Sequence, residues 1–303
     1  MTVLIAGGTG FIGSHLARAL LRQGERVVLL GRTPGNRLIG DIASRVTFVR
    51  GDATSLADVL HAIKDHGISD VYHLIALLAD VSQREPLSAF KANTESTLNF
   101  LEAARILGLR RVIYASSVAV YDPAAAAPVS ESAPLRPASV YGETKVASEF
   151  YGMHYQRSFG VDFRALRFTT LYGPGKTGGS TGICSTLIEH SALGQAVDVD
   201  AADAVTDWLY IKDAVRSLLL ARDVDAVKAR IYNIGAGSYS VREVAEVVQR
   251  LVPDARITLR SERTFPWPPA YDCRKAREEL GYVPTFGIED GIRDFIADVR
   301  AAR

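Results

Sequence analysis

Short runs of aliphatic and β-branched residues alternate with longer amphipathic stretches along the first 168 residues, and this alternation restricts the possible folds more than any other feature. Apolar residues recur every three or four positions in the longer stretches, which is typical of helices. The short runs are Val3–Ala6, Val27–Leu30, Val46–Val49, Val71–Leu74, Val112–Ala115 and Phe163–Phe168. Strands that alternate with helices form βαβ units with right-handed crossovers. The sequence therefore predicts an α/β fold with a doubly wound parallel sheet.

A glycine-rich loop joins the first predicted strand to the first predicted helix. Gly7, Gly10 and Gly13 recur there at every third position. Such glycines permit a tight turn, a close approach of the backbone to a pyrophosphate and close packing of the helix on the strand. The free N–H groups at the start of the helix attract phosphate. Because the loop stands between a strand and a helix, we expect a Rossmann-type dinucleotide site that also includes Phe11 and Ile12.

The end of the second predicted strand bears on the choice of cofactor. A site that prefers NAD places a carboxylate there, which binds the ribose 2′-hydroxyl. In this chain Gly31 and Arg32 follow Val27–Leu30, and Arg37 is close. An arginine can bind a 2′-phosphate through two parallel N–H donors. The sequence therefore predicts that NADP(H) is favoured over NAD(H), although an exposed loop arginine with no ligand would give the same pattern.

The organisation of the chain changes after Tyr172. The run 173–180 contains four glycines, and the elements that follow it are shorter and less regular. We expect two parts, namely a dinucleotide-binding domain of residues 1–168 that also receives about 206–235, and a smaller C-terminal substrate-binding lobe of residues 169–205 and 236–303.

A tyrosine and a lysine stand four positions apart at the start of the helix predicted over Val140–Phe159. Residues with this spacing share a helix face, so Tyr141 and Lys145 point into the same space. A neighbouring ammonium favours the phenolate and lowers the pKa of a phenol from about 10. Ser116 and Ser117 follow a predicted strand, at the edge of the sheet where such folds bind ligands. An ordinary amphipathic helix would also show the Tyr–Lys spacing, so the serines add weight to a catalytic interpretation.

Taken together, these motifs resemble those of the extended short-chain dehydrogenase/reductase family, the NAD(P)-dependent sugar epimerases and dehydratases. The resemblance extends over nearly the whole chain. Beyond the glycine loop it is carried by Gly51–Thr54, His73–Ala76, Asn93, Arg167–Pro174, Asp207–Asp213, Tyr232–Gly235, Lys275–Ala276 and Leu280–Pro284.

The resemblance implies a role for each matching residue. Tyr141 would be the general acid/base, Lys145 would tune it and hold the nicotinamide ribose, and Ser117 would hydrogen-bond the substrate oxygen. The remaining cofactor contacts would come from Asp52 and Ala53 at the adenine, Ala76 along the cleft and Phe168 beside the nicotinamide. In this family two long helices, here over Ser88–Leu107 and Val140–Phe159, commonly pair across the axis of a homodimer.

Three departures from the family pattern concern the substrate. Dehydratases keep an Asp-Glu pair after the catalytic Ser/Thr, whereas this chain has Val118-Ala119, which argues against dehydration. Members that bind a nucleotide-sugar diphosphate often use an asparagine and an arginine where this chain has Thr170 and Thr206. Arg263 could correspond to a further arginine of the family pattern, but its spacing to Asp272 is one residue too short. Loss of these contacts favours a smaller hydroxy or carbonyl substrate.

Three functions fit these residues. The favoured one is an NAD(P)-dependent oxidoreductase that transfers hydride between the nicotinamide and a carbinol or carbonyl carbon of a small sugar-like or hydroxy substrate, with Ser117, Tyr141 and Lys145 as its catalytic site. An NAD(P)-dependent nucleotide-sugar epimerase would use the same residues. A non-catalytic cofactor-sensing protein is the remote alternative, which the intact Ser-Tyr-Lys set argues against.

Composition restricts the remaining classes. The net charge of +1 argues against nucleic-acid binding, and no apolar run approaches the roughly 18 residues of a membrane span. Cys184 and Cys273 lie far apart in the sequence and do not form a metal-binding pattern. We therefore expect no bound metal and a location in the reducing cytoplasm. The histidines likewise lack the spacing of metal ligands.

Overall fold

The computed structural model describes residues 1–35, 37–179 and 181–302. Its strands are β1 (Thr2–Ala6), β2 (Arg26–Gly31), β3 (Thr47–Arg50), β4 (Asp70–His73), β5 (Arg111–Ser117), β6 (Phe163–Phe168), β7 (Thr170–Tyr172), β8 (Val197–Val199), β9 (Val205–Tyr210), β10 (Ile231–Ile234), β11 (Ser238–Ser240) and β12 (Ile257–Leu259). Its α-helices are α1 (Phe11–Arg22), α2 (Leu56–His66), α3 (Ala79–Arg84), α4 (Pro86–Ala89), α5 (Ser96–Leu107), α6 (Val140–Phe159), α7 (Gly182–Ala192), α8 (Ile211–Asp223), α9 (Val241–Leu251), α10 (Arg274–Leu280) and α11 (Ile288–Ala301).

The predicted doubly wound sheet is confirmed. Seven parallel strands lie in the order β10-β6-β5-β4-β1-β2-β3. Helices α1 and α8 pack together over one face, and α2, α5 and α6 cover the other. Alternate residues of β1 therefore enter different cores: Val3 and Ile5 face α1, whereas Leu4 and Ala6 face α2 and α5. A strand that is buried on both faces reads as a continuous apolar run, which is why its sequence shows no polar alternation.

The smaller strands lie outside this sheet. Strands β11, β9 and β7 form one short sheet, and β12 pairs with β8. Strand β10 joins the large sheet beside β6, while β9 pairs with β7 in register Thr170–Trp208. The division into a dinucleotide-binding domain and a substrate lobe stays a prediction.

The helix predicted over Ser88–Leu107 differs in the structure. It begins at Pro86 and contains a π-helical stretch, Phe90–Glu95, between α4 and α5. The buried Asn93 lies in this stretch, where its amide accepts from Leu77 N and donates to Leu77 O at 2.7 and 3.1 Å. The π-helical stretch thus contains the side chain, Asn93, that holds the loop after β4 in place. Such π-helical turns often occur near functional sites.

Two further features concern the helices and the cysteines. Among the helices of the described residues, none has the length and apolar character that crossing a bilayer requires. Cys184 is buried, Cys273 is half-buried, and both are free thiols.

Candidate active site

The strand order reverses between β1 and β4, which is the point at which sheets of this kind form a crevice. Parallel sheets bind ligands outside the carboxyl ends of the strands at such a point. Gly7 follows β1 with a φ of +83°, a value that favours glycine. A Cβ on Gly7 would lie 3.1 Å from the backbone at Leu74 and Ile75, just beyond β4. The loops after the two strands therefore run side by side, with the half-buried Ala76 next along the second loop.

The glycine loop has the shape that a pyrophosphate requires. Gly10 N donates to Gly7 O at 3.0 Å and closes the turn, and Gly10 then caps α1 with no side chain in front of the helix. A Cβ on Gly13 would lie 2.3 Å from Gly7 O, so only glycine fits there. Phe11 and Ile12 form the first turn of the helix. The exposed N-terminus of α1 fits the phosphates of a dinucleotide.

The ends of β2 and β3 border the same crevice. Arg32 follows β2 and is exposed. Asp52 follows β3 and accepts from the backbone N and the hydroxyl of Thr54 at 3.0 and 2.9 Å. Ala53 is buried beside it, and its carbonyl accepts from Asn99 of α5 at 2.9 Å. Contact of these residues with the adenosine end of the cofactor stays a prediction from the sequence.

The first turn of α6 packs directly against the turn that follows β5. Ser139 caps the helix by accepting from Gly142 N at 3.1 Å. A Cβ on Gly142 would lie 2.3 Å from Ala119 O, so the glycine permits this close approach. The contact brings Tyr141 close to Ser117, and the neighbouring serine acts to lower the pKa of the Tyr141 phenol. Ser117 also accepts from Ala119 N at 3.2 Å, which orients its side chain.

Lys145 lies one helical turn beyond Tyr141 and is almost completely buried. Its ammonium donates to Ala115 O at 2.7 Å and lies 4.5 Å from the ring centre of Tyr114. Burial lowers the pKa of Lys145 to about 7, and the carboxylate of Glu149 opposes that effect. The structure therefore brings together Ser117, Tyr141 and Lys145, as the sequence predicts.

The pKa of Tyr141 differs from the sequence-based expectation. Burial raises it to about 12, while the hydrogen bond with Ser117 acts in the opposite direction. The sequence led us to expect a lowered value from the neighbouring ammonium. The ammonium lies 5.5 Å from the ring centre, and the cost of burying a phenolate outweighs its attraction. Tyr141 is therefore a protonated phenol at neutral pH in this structure.

Phe168 lies beside Ser117. It ends β6, is buried, and is in register with Ser117 of β5. Beyond it, Thr169 donates from its hydroxyl to Asp207 at 2.9 Å and links β6 to β9. Phe168 thus forms one wall of the crevice next to Ser117.

A neutral hydrogen-bonded cluster occupies the positions where the family pattern led us to look for diphosphate contacts. The hydroxyl groups of Thr170 and Thr206 are 2.6 Å apart, and Trp267 Nε1 donates to Thr206 at 2.9 Å. Phe265 stacks on Trp267 at 4.9 Å between ring centres. Arg263 pairs with Asp200 through bonds of 3.0 and 3.1 Å. The sequence did not reveal that Trp267 belongs to this cluster, because the contact joins residues 61 positions apart.

The histidines and acids carry no metal site in the part of the chain that the structure describes, since no three of its His, Cys, Asp and Glu side chains are grouped to hold an ion. His73 is the last residue of β4, and its buried Nε2 lies 2.9 and 3.2 Å from the hydroxyl groups of Thr97 and Ser96. Burial lowers its pKa to about 3, so its ring is neutral.

Comparison with known proteins identifies the family. The model of the NAD-dependent epimerase/dehydratase family matches residues 3–235. The chain belongs to the NAD-dependent epimerase/dehydratase family. It is an enzyme of this family, and its extended short-chain dehydrogenase character, predicted from sequence, is confirmed.

Relatives within the NAD-dependent epimerase/dehydratase family include both isomerases and oxidoreductases. A putative UDP-glucose 4-epimerase of Methanocaldococcus jannaschii is 29% identical, over 96% of each chain. The UDP-glucose 4-epimerase of Thermus thermophilus, solved in complex with NAD, is 29% identical over 100% of both chains with a TM-score of 0.87. The L-threonine dehydrogenase of Cupriavidus necator is 28% identical, over 99% of this chain and 100% of that one, with a TM-score of 0.88. These neighbours support a nicotinamide cofactor for this family member.

Proposed function

We propose that this enzyme is an NAD(P)-dependent dehydrogenase or reductase that acts at a carbinol or carbonyl carbon of a small hydroxy or sugar-like substrate. The observation that carries the proposal is the grouping of Ser117, Tyr141 and Lys145 beside the crevice that the glycine loop lines. Both hydroxyl groups and the ammonium face one space at the carboxyl edge of the sheet.

The three side chains have distinct roles in the proposed reaction. The Ser117 hydroxyl hydrogen-bonds the reacting oxygen and positions it against Tyr141. In the reductive direction the protonated phenol of Tyr141 donates its proton to that oxygen, and in the oxidative direction the phenolate accepts the proton. The Lys145 ammonium stabilises the phenolate and holds the nicotinamide ribose. When bound, the cofactor supplies or accepts the hydride.

The cofactor contacts follow from the edge of the sheet. We assign the pyrophosphate to Gly7, Gly10, Phe11, Ile12 and Gly13, the adenosine to Arg32, Asp52 and Ala53, and the nicotinamide half to Ala76, Tyr141, Lys145 and Phe168. The exposed Arg32 follows β2, and no carboxylate stands between residues 31 and 37 to repel a 2′-phosphate. This supports a preference for NADP(H) over NAD(H).

The neutral cluster of Thr170, Thr206 and Trp267 supports a small substrate. A diphosphate needs cationic or amide donors, whereas two hydroxyl groups here bond each other and the indole bonds one of them. The nearby Arg263 is already paired with Asp200. A nucleotide sugar would therefore lose several charge-assisted hydrogen bonds in this site. A small hydroxy acid such as that of the L-threonine dehydrogenases carries no such requirement.

A nucleotide-sugar epimerase is the second candidate, favoured by the UDP-glucose 4-epimerases among the relatives. It uses the same acid/base and returns the hydride to the opposite face of the same carbon. The two activities differ in whether the cofactor changes its oxidation state over a complete turnover.

An assay with a substrate panel separates the candidates. Purified enzyme is incubated with L-threonine, other small hydroxy acids, free sugars and UDP-glucose, with NADP⁺ or NAD⁺, and absorbance at the reduced-nicotinamide band is followed. We expect stoichiometric reduction with a small hydroxy compound and none with UDP-glucose. Formation of a UDP-sugar epimer without a net absorbance change would establish the epimerase instead.

The outer surface of the helical layer supports a homodimer. Large apolar side chains are exposed there: Leu87 and Phe90 at the start of the interrupted helix, and Phe150, Tyr151 and Phe159 on α6. Phe150 is 63% and Leu87 is 68% exposed, which is unfavourable on a free surface of this size. Pairing α5 and α6 with their copies covers these side chains. The cytoplasmic location stays a prediction from the cysteine content.

A further inference from the structure

A buried ion pair lies directly behind the candidate catalytic residues. Glu149 of α6 and Arg167 of β6 are each 2% exposed. Arg167 donates from Nε to Oε1 at 2.9 Å and from Nη2 to Oε2 at 2.5 Å, so the pair is bidentate. Such geometry fixes both the distance and the relative orientation of the two side chains.

The pair joins the three elements that carry the site. Ser116 of β5 donates to Glu149 Oε1 at 2.5 Å, and it immediately precedes Ser117. Arg167 immediately precedes Phe168. Glu149 lies one turn beyond Lys145 on the same helix face. One carboxylate therefore ties the helix that bears Tyr141 and Lys145 to both neighbouring strands at the positions adjacent to the reacting groups.

The same carboxylate stands one helical turn from Lys145 on α6 and acts to raise the pKa of its ammonium. The ammonium is surrounded by Tyr141 on its own helix and by Tyr114 from β5, both neutral phenols. His73 from β4 is also neutral, because burial lowers its pKa to about 3. Arg167 from β6 is the cation that pairs with this carboxylate. Among the described groups, Glu149 alone raises the pKa of Lys145 against burial.

We propose that Glu149, oriented by Arg167 and Ser116, is a positioning residue that keeps Lys145 protonated and fixed in place for the cofactor and for Tyr141. The proposal rests on the proposed function, since Lys145 acts there as an ammonium. Glu149 itself contacts neither the substrate nor the cofactor.

The test measures NADPH affinity by fluorescence titration between pH 5 and 9 and does not require the substrate. We expect the affinity of the wild type to fall where Lys145 loses its proton. Glu149→Gln retains a side chain that can bond Ser116 and Arg167 but removes the charge, so this fall should occur about one pH unit or more lower. In a Lys145→Arg background the cation does not titrate, and Glu149→Gln should leave the pH profile unchanged.

Each outcome bears on a separate claim. Superimposable pH profiles for the wild type and Glu149→Gln would overturn the role of Glu149 and leave the proposed function intact. A wild-type affinity that depends on neither pH nor Lys145 would overturn the function of Lys145 and this inference with it. Should Glu149→Gln fail to fold because Arg167 is left unpaired, the double variant Glu149→Gln/Arg167→Met removes both charges. In this double variant the fall in NADPH affinity should also occur at a lower pH than in the wild type, by a smaller amount than in Glu149→Gln. If the pH of the fall does not change, the proposal is contradicted.

Discussion

Lys145 Nζ lies 5.5 Å from the centre of the Tyr141 ring and donates to Ala115 O. The ammonium is therefore beside the phenol ring, while the neighbouring Ser117 acts on the pKa of the Tyr141 hydroxyl. The two residues thus differ in their contacts, which allows each to be tested by its own substitution.

Tyr141→Phe removes the proton that the reaction transfers and leaves the ring in place. We expect kcat to fall by about 10²–10⁴-fold, because general acid/base catalysis contributes that much. The Kd for NADPH should change little. Tyr151→Phe, on the same helix and 36% exposed, is the matched control and should retain the wild-type kcat. Near wild-type turnover in Tyr141→Phe would refute its assignment as acid/base.

Lys145→Met should reduce both turnover and cofactor affinity, and it also changes how stability depends on pH. Burial lowers the pKa of Lys145 to about 7 from an ordinary 10.5. Between these values the unfolded chain binds more protons than the folded one, so the free energy of unfolding rises with pH. From pH 7 to 9.5 the wild type should gain about 3 kcal/mol relative to Lys145→Met in urea denaturation. Parallel pH dependences for the two proteins would contradict the lowered pKa.

Arg32→Ala tests the choice of cofactor. A charge-assisted bond to a 2′-phosphate is worth about 1.5–3 kcal/mol, which corresponds to a ten- to hundredfold preference. We expect wild-type Kd values to favour NADPH over NADH by this factor, and the substitution to remove most of the difference. Arg26→Ala, at the opposite end of β2 and also exposed, should leave both Kd values unchanged. Equal weakening of both cofactors by Arg32→Ala would make the arginine an adenine contact only.

Phe150→Glu tests the homodimer. The side chain is 63% exposed on α6, and a charge there would have to be desolvated if the helix pairs with its copy. Light scattering after size exclusion should give a dimer for the wild type at micromolar concentration and a monomer for the variant. Val283→Glu, which introduces the same charge at a 47% exposed position outside these helices, should remain dimeric. A monomeric wild type would exclude this interface.

Asp162→Asn tests the ionic network at the opposite edge of the sheet. Burial acts to raise the pKa of Asp162, but the bonds from Arg164 and Arg111 outweigh it and the net pKa is lowered. The substitution leaves the buried Arg164 and Arg111 without their carboxylate, and we expect a loss of about 3 kcal/mol in the free energy of unfolding at pH 7.

The sign of its pH dependence follows from the lowered pKa. Asp162 stabilises the fold above its unfolded value of 3.8, and that contribution is lost as the pH falls through the lower folded value. The difference in the free energy of unfolding between the wild type and Asp162→Asn should therefore become smaller only below about pH 4. Asp203→Asn, which breaks a surface pair with Arg242, should leave Tm unchanged. If this difference in the free energy of unfolding already becomes smaller at pH 6, a group other than Asp162 causes the pH dependence.

Much of the fold and part of the site were determined by the sequence alone, because their signals are local. The βαβ alternation follows from the periodicity of apolar residues within each segment, and α6 and β6 have the predicted bounds. Gly13 is required by its close approach to Gly7 and Gly8, which lie within six residues of it. Tyr141 and Lys145 share a face because a helix brings residues four apart together.

Only the tertiary structure decided the contacts between distant segments. Strands β7, β8, β11 and β12 are three residues each and exist because another segment pairs with them, so no local pattern marks them. The π-helical stretch depends on the fold around Asn93 in the same way. Different elements are joined by the approach of Tyr141 to Ser117, by the pair of Glu149 with Arg167 and by the cluster around Thr206. The raised pKa of Tyr141 has the same origin, since the cost of burying a charge depends on everything packed around it.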